Sequence, residues 1–133
     1  MAVTHPRGYA FNLTRRAYLA TELHVANTHW SRLCGLMGTN ASNFPAGRAL
    51  WIVPCHGVHT FAMRFPIDVL YLDNRQVVVH AEKKLAPWRV APVRWQAKSV
   101  LELPENTLDA TSTIVGDQLE ITMGAASGAV QGD

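Results

Sequence analysis

The stretch from residue 55 to residue 73 constrains the fold of this chain most, because it places polar chemistry inside an otherwise apolar run. Its apolar residues favour two buried strands, at 58–63 and 67–73. Burying an ionisable side chain costs free energy unless the group finds a hydrogen-bond or charge partner. We therefore expect any functional site to lie in this stretch. The candidate side chains that it offers are Cys55, His56, His59, Arg64 and Asp68.

The composition of the chain bounds its domain count and its partners. A chain of 133 residues that is 48% hydrophobic suits one domain with a buried core. Its net charge of +2, with 17% charged residues, is too small to concentrate nucleic acid or an anionic membrane at its surface. We therefore expect no nucleic acid and no membrane partner. A small molecule, a protein partner, and a monomer or homo-oligomer all stay open.

The distribution of apolar residues predicts a soluble protein. No apolar segment approaches the roughly 18 residues that are needed to span a bilayer. Arginines occur in residues 1–16, but Glu22 and His24 interrupt the apolar run that a secretion signal would need. We therefore expect a cytoplasmic location. In that reducing compartment a disulfide between the two cysteines, Cys34 and Cys55, is not expected.

Short apolar segments bounded by proline, glycine and asparagine recur along the chain, and they predict mainly β structure. Helices do not alternate with strands as a parallel α/β sheet would require. The sequence therefore predicts a small antiparallel barrel or sandwich of about seven strands with one or two short helices. The predicted strands are 17–26, 49–53, 58–63, 67–73, 76–85, 98–103 and 118–123, and the predicted helices are 29–37 and 105–113.

The composition also divides the chain into an arm, a domain and a tail. Residues 1–16 lack periodicity and contain Pro6 and Gly8, which predicts a flexible N-terminal arm. Residues 17–123 are predicted to form the single β domain. Residues 124–133 are rich in glycine, alanine and serine, which predicts a disordered tail.

Asp68 is surrounded by apolar residues, so its carboxylate is predicted to be buried and to need a donor. If the strand 58–63 pairs with the strand 67–73, either His59 or Arg64 would reach it. One interpretation is a structural pair that fixes the register of the strands. The other is a histidine oriented by a carboxylate for acid–base chemistry or anion binding. We favour the structural interpretation, because no second catalytic element is evident.

Cys55, His56 and His59 carry ligand types that zinc binds, with Cys34 as a candidate fourth ligand. However, the chain has no paired Cys-x-x-Cys, and His56 and His59 would fall on opposite faces of a regular strand. We therefore expect no metal and no other cofactor. A Cys55 thiolate beside a histidine would instead act as a nucleophile.

Aromatic and cationic residues alternate at Trp88-Arg89 and at Arg94-Trp95, in a region that contains two prolines. Such side chains can stack bases or hold a carboxylate. Because no wider basic patch accompanies them, we interpret the region as a packed loop whose arginines extend to solvent.

Four motifs occur in a fixed order along the chain. They are Trp30-x-Arg32-x-x-Gly35-Leu36-Met37-Gly38, the run 59–73, Val100-Leu101-Glu102-Leu103 and Gly116-Asp117. Together they resemble the family called domain of unknown function 192 (DUF192), which comprises uncharacterised proteins of bacteria and archaea.

The resemblance covers roughly residues 20–122 and implies a small, mainly β domain, sandwich- or barrel-like, with no established activity. It also implies that residues 35–38 form a fixed helix-to-loop element and that Gly116-Asp117 is a turn with special backbone geometry. The chain departs from the family pattern after Leu103, where a glycine is usual and Pro104-Glu105-Asn106 stands instead.

We expect a non-enzymatic ligand- or partner-binding or accessory domain, because polar groups stand where an apolar core is expected. The alternative is a hydrolase or thiol-dependent enzyme that uses Cys55, His59 and Asp68. A third interpretation is a homo-oligomer or partner module joined through an exposed edge strand. The expected binding residues, on a concave face, are His59, Met63, Arg64 and Asp68, with Trp51 and Trp88 nearby.

Overall fold

The computed structural model describes residues 8–28 and 38–123 of the chain. These residues contain seven strands, a 3-10 turn and one short helix. The elements in chain order are β1 (Gly8–Asn12), β2 (Ala17–Ala26), the 3-10 turn (Ala41–Asn43), β3 (Gly47–Ile52), β4 (Ile67–Leu72), β5 (Val78–Leu85), β6 (Ser99–Pro104), α1 (Thr107–Thr111) and β7 (Leu119–Met123). Within the described ranges, no helix is long and apolar enough to cross a membrane.

One sheet contains all seven strands, in the order β5-β4-β6-β3-β2-β1-β7. The sheet curls into a half-barrel, and its first and last strands approach each other at one end. At that end Val77 lies opposite Gln118 in an isolated bridge. Beside it, Val78 N donates to Asp117 O at 2.9 Å. The prediction of a mainly β fold with about seven strands and a short helix is therefore confirmed.

The sheet is mixed rather than purely antiparallel. The strands β2 and β3 run parallel, whereas the other neighbouring pairs run antiparallel. A parallel pair needs a crossover of a dozen or more residues, because the chain must return to the same end of the sheet. Residues 27–46 supply that crossover between the two strands.

The sheet is apolar on both faces, and β4 is buried at every position. Side chains alternate between two hydrophobic clusters, as the pleat of a strand requires. Leu70 belongs to the inner cluster, to which every strand and α1 contribute. Val69 and Tyr71 belong to the outer cluster, which also draws residues from segments 53–66 and 86–98. Irregular chain rather than a second sheet therefore covers the outer face.

Segments 53–66 and 86–98 cover the outer face and run side by side. We call residues 56–61 and 88–95 of these segments the outer ribbon. Thr60 N donates to Arg89 O at 2.8 Å, so backbone hydrogen bonds join the two halves of this ribbon. The outer ribbon is thus an ordered unit that lies on the sheet without joining its ladder.

The prediction of a strand at 58–63 is wrong. In that stretch only His59 makes a β-bridge, to Val90. Ala62 adopts a φ of +60°, which interrupts extended chain. The partners of β4 are β5 and β6 instead. The apolar residues of 58–63 are therefore explained by packing on the sheet rather than by strand pairing.

The prediction of a flexible arm is wrong for residues 8–12, which form β1. Gly8, Ala10 and Asn12 are buried, and β1 pairs with both β2 and β7. The strand β1 has only five residues, and one of its buried residues, Asn12, is polar. Its sequence therefore shows little of the apolar–polar alternation that predicts a strand. The predicted helix 29–37 and the predicted tail 124–133 lie outside the described residues.

Candidate functional site

Asp68 is buried, 1% exposed, and binds the backbone of two other elements. Its Oδ1 accepts a hydrogen bond from Lys84 N at 2.9 Å, and its Oδ2 accepts one from Leu108 N at 2.9 Å. Leu108 lies in the first turn of α1, where Asn106 supplies no side-chain cap. Asp68 therefore provides the acceptor that the beginning of α1 lacks.

His59 and Arg64 lie on the outer side of the sheet and bind other groups. His59 Nδ1 accepts from Phe61 N at 3.2 Å, and the exposed Arg64 donates to Asn40 Oδ1 at 2.8 Å. In the part of the chain that the structure describes, neither side chain hydrogen-bonds Asp68. The predicted trio is therefore not brought together.

The other predicted binding residues are divided between the two faces of the sheet. Trp51 packs on the inner cluster, and Met63 is buried in the outer cluster. Trp88 is exposed. Its ring and the ring of His59 both contact the ring of Phe61. The structure does not gather the predicted set in one concave pocket, and a ligand role for each of these residues stays a prediction.

Cys55 and His56 hold the chain that leads into the outer ribbon. Cys55 Sγ donates to Gly57 O at 2.9 Å, and His56 Nδ1 donates to Ala97 O at 2.7 Å. Among the described residues, no three His, Cys, Asp or Glu side chains come together as metal ligands. Cys34 lies outside the described residues. A nucleophilic role for Cys55 stays a prediction.

Thr60 and Gly57 fix the two halves of the outer ribbon against each other. The buried Thr60 hydroxyl donates to Ala86 O at 2.6 Å and accepts from Arg89 N at 2.8 Å. A Cβ on Gly57 would lie 3.1 Å from Pro92 O, so a larger residue would push the halves apart. Residues of the first half therefore hold the second half in place.

Tyr71 anchors the outer ribbon to the sheet. Its hydroxyl donates to Pro92 O at 2.5 Å, and its ring packs edge-on against His80 at 4.9 Å. Burial, together with the nearby Glu82 carboxylate, raises the pKa of Tyr71 well above its usual value. The hydroxyl therefore keeps its proton, and with it this hydrogen bond, at neutral pH.

Large apolar side chains project from the outer ribbon into solvent, and we call this set the aromatic ridge. The ridge consists of Phe61, Trp88, Val90, Val93 and Trp95. Trp88 and Trp95 are 63% and 74% exposed. The Trp88 ring stacks on Phe61 at 6.0 Å, and Trp95 packs against His56 at 4.9 Å. The interpretation of this region as a packed loop is therefore wrong for the two tryptophans.

Basic residues accompany the aromatic ridge in the two segments that form it. Segments 53–66 and 86–98 contain no Asp or Glu. Their exposed basic residues are Arg64, Arg89, Arg94 and Lys98. Among the described residues, the ion pairs of arginine and lysine are those of Arg15, Arg48 and Lys83. The ridge is therefore bordered by positive charge that no carboxylate of the described chain neutralises by an ion pair.

Glu102 is a buried carboxyl group that we do not single out from the sequence. It lies opposite Leu50 and Val69 in its two strand ladders, and it is 2% exposed. Its Oε1 has no hydrogen-bond partner among the described residues. Burial raises the pKa of Glu102 to about 8, so the group is mostly neutral at pH 7. The sequence feature that could have revealed this buried carboxyl group is a glutamate inside the apolar run 100–103.

A cavity of about 360 Å³ opens between α1 and β2. Its walls include Leu19, Gly47, Thr107, Ala110 and Thr111. The hydroxyls of Thr107 and Thr111 already donate to backbone carbonyls of the same helical region. The cavity is therefore large enough for a small ligand and offers it apolar contacts, but it has few polar groups that would orient the ligand.

These features define a class of domain: a mainly β half-barrel with one short helix and an irregular ribbon on its outer face. The family model DUF192, described as "Uncharacterized ACR", matches residues 11–121. The chain belongs to this family, as its four motifs indicate.

Two curated relatives are archaeal proteins of similar length. UPF0127 protein PF1050 of Pyrococcus furiosus is 31% identical over 114 residues, which cover 82% of this chain and 94% of that protein. UPF0127 protein PYRAB11210 of Pyrococcus abyssi is 28% identical over 118 residues, which cover 85% of this chain and 97% of that protein.

Two crystal structures share the fold. A protein of unknown function from Novosphingobium aromaticivorans matches with a TM-score of 0.72 at 14% identity, covering 85% of this chain and 82% of that one. A Sinorhizobium meliloti protein described as a candidate transcription regulator matches with a TM-score of 0.71 at 17% identity, covering 90% of this chain and 98% of that one. At these identities the similarity shows the fold alone.

Proposed function

We propose that this domain is a non-enzymatic binding module that holds a segment of a partner protein on the aromatic ridge. The observation that carries the proposal is the exposure of Trp88 and Trp95, at 63% and 74%, on one ribbon. Adjoining exposed apolar side chains on a folded domain commonly mark a surface that another molecule covers. Tryptophan and arginine are also the residues most enriched at the energetic centres of interfaces.

The support beneath the aromatic ridge favours binding. Thr60 and Tyr71 hold the ribbon through buried hydrogen bonds, and Gly57 lets its halves approach closely. A surface that is already ordered loses little conformational entropy when a partner binds, so more of the contact energy is retained as affinity.

The arrangement of side chains favours binding over a hydrolase or thiol enzyme that uses Cys55, His59 and Asp68. A nucleophile, its base and an orienting carboxylate must lie within hydrogen-bond reach of one another. Asp68 has both oxygens on backbone amides near β5 and α1. His59 belongs to the outer ribbon and accepts from Phe61 N.

A cytoplasmic location for the binding module remains a prediction from the sequence.

A random peptide library displayed on phage tests this proposal. Selection is made on the wild-type domain, with the double variant Trp88→Ala/Trp95→Ala as the counter-selection. We expect peptides whose Kd rises at least about tenfold in the double variant, because loss of two interface tryptophans exceeds about 1.4 kcal/mol. Tyr18→Ala is the matched control, since it removes a 53% exposed aromatic ring from β2 and should leave the Kd unchanged.

Two results would overturn the proposal. The first is a library that yields no peptide selective for the wild type. The second is a set of peptides that bind the double variant as tightly as the wild type. Circular dichroism spectra and melting curves of all variants establish that the substitutions leave the fold intact.

A further inference from the structure

We infer that the partner segment on the aromatic ridge is acidic: a short extended peptide in which Asp or Glu side chains accompany large apolar ones. This inference rests on the proposed function and names the chemistry of its partner. It is carried by the placement of cations beside the exposed tryptophans and by the absence of carboxylates from the two segments that form the surface.

Each exposed tryptophan of the ridge has an arginine next to it in the chain. Arg89 follows Trp88, and Arg94 precedes Trp95. The backbones of both arginines are fixed, because Arg89 N donates to Thr60 Oγ1 at 2.8 Å and Arg94 N donates across the ribbon at 2.9 Å. Both arginines are exposed. Each can therefore pair with a carboxylate while the neighbouring indole packs against an apolar side chain.

Charge complementarity points to the sign of the partner. Arg64 and Lys98 add positive charge at the borders of the ribbon, and Arg64 is held by the neutral Asn40 rather than by a carboxylate. The carboxylates of the described chain that do form ion pairs with arginine or lysine are Glu22, Asp109 and Asp117. None of these belongs to the two covering segments. Carboxylates from a partner would therefore meet positive charge without competition from the ribbon itself.

The geometry of the ridge sets the length of the segment. Trp88 and Trp95 are separated by seven chain steps (95 − 88), which span at most about 25 Å in extended chain. A partner strand of about seven residues covers that length. Arg89 and Arg94 are separated by five chain steps (94 − 89), so acidic residues about four or five positions apart would reach both.

Val90 and Val93 favour a peptide over a single-stranded nucleic acid. They are 67% and 51% exposed between the two tryptophans. Aliphatic side chains offer no planar surface for base stacking, whereas apolar peptide side chains pack on them. The net charge of +2 also gives little attraction for a phosphate backbone.

The peptides selected on the wild-type domain supply the probe. We expect Asp and Glu to be enriched among the ridge-dependent peptides. The tightest peptide is then compared with a copy in which every Asp and Glu is replaced by Asn and Gln. The amide copy should bind at least about tenfold more weakly, and only the acidic peptide should lose affinity between about 0.05 M and about 0.5 M NaCl.

Substitution of the ridge arginines gives the reciprocal test. In Arg89→Gln/Arg94→Gln the acidic peptide should bind about as weakly as the amide copy binds the wild type. The amide copy itself should bind this variant normally. Arg16→Gln/Arg75→Gln removes the same charge from exposed positions elsewhere and is the matched control. It should keep the wild-type affinity for both peptides.

The outcomes separate this inference from the proposed function. Ridge-dependent peptides without acidic residues, or an acidic peptide indifferent to the arginine pair, would overturn the inference and leave the binding function standing. A library without any ridge-dependent peptide would overturn the binding function itself. A mixed-sequence single-stranded oligonucleotide that displaces the acidic peptide and binds more tightly would overturn the inference, because the occupant would be a nucleic acid.

Discussion

At the scale of single residues, the domain buries two kinds of carboxyl group. Asp68 has a backbone donor for each of its oxygens, whereas Glu102 Oε1 has no partner among the described residues. A buried carboxyl that lacks donors keeps its proton, because its charged form is poorly solvated. The protonation of Glu102 therefore couples folding to pH.

The variant Glu102→Gln should flatten this pH dependence. Burial raises the folded pKa of Glu102 from 4.5 to about 8. The contribution of this group to the free energy of unfolding is therefore full below about pH 4.5, falls as pH rises and is lost by about pH 8. The slope attributable to this group is at most about 1.4 kcal/mol per pH unit. The free energy of unfolding in urea, measured across this range, should fall more steeply in the wild type. Parallel profiles for the two proteins would contradict this assignment, and the exposed Glu105→Gln serves as control.

At the scale of secondary-structure elements, Asp68 joins the strands β4 and β5 to the helix α1. From β4 it accepts hydrogen bonds from Lys84 N in β5 and from Leu108 N in α1. Lys84 has a φ of +52°, so the strand departs from regular geometry where it meets this carboxylate. The fold therefore requires a carboxylate at position 68.

The variant Asp68→Asn should lower the free energy of unfolding by about 2–3 kcal/mol. Its amide keeps one acceptor oxygen but turns an N–H towards one of the two backbone donors, which leaves that donor unsatisfied. Denaturant unfolding measures the loss. Asp109→Asn changes an exposed carboxylate of α1 and should have a much smaller effect. Equal losses in the two variants would show that Asp68 is not the cap of α1.

Asn106 occupies an unusual backbone conformation immediately before α1. It adopts a φ of +74°, in the left-handed region that glycine enters freely. Asparagine is among the few other residues that adopt this conformation at modest cost. The chain can therefore enter α1 through a left-handed residue without a glycine at position 106.

The outer ribbon depends on Thr60 as a single hydroxyl that joins both of its halves. Thr60→Val keeps the shape of the side chain but leaves Ala86 O and Arg89 N without their partner. We expect a loss of about 1–3 kcal/mol and faster hydrogen exchange at the amides of Trp88 and Arg89. The exposed Thr21→Val is the control. Unchanged exchange at both amides would contradict the role of Thr60.

Regular elements of this fold could be predicted from the sequence, whereas the covering of the sheet could not. The predicted strand 17–26 has the bounds of β2, because its alternation and its turn residues are local signals. The apolar stretch 58–63 has the same composition whether it pairs in a ladder or packs on a sheet. The backbone hydrogen bonds of Val58 and Thr60 go to the segment 86–98, so only tertiary structure distinguishes the two cases.

The candidate site could be predicted only in part. The alternation of tryptophan and arginine at 88–95 marks residues of the proposed surface, but the sequence does not report which side chains face solvent. Conversely, the ionisable groups of 55–73 suggested a site because they would be buried. Of these groups Asp68 is buried, and both of its carboxylate oxygens bind backbone amides.

At the scale of the whole molecule, the Gly116-Asp117 motif closes the half-barrel. Asp117 Oδ2 accepts from Asn12 Nδ2, Arg15 Nε and Ile114 N, each at 3.0 Å. Burial alone would raise the pKa of Asp117, but these donors together lower it. Gly116 has a φ of +97°, which favours glycine at the turn.

The central claim is that a partner segment lies on the aromatic ridge, and the indole N–H signals of the tryptophans test it most directly. In a ¹H–¹⁵N NMR titration with the tightest selected peptide, we predict that the Trp88 and Trp95 indole signals shift. The Trp51 signal, from a side chain packed on the inner cluster, should stay in place. A shift of Trp51 with Trp88 and Trp95 unmoved would contradict the claim, because the peptide would then bind inside the half-barrel.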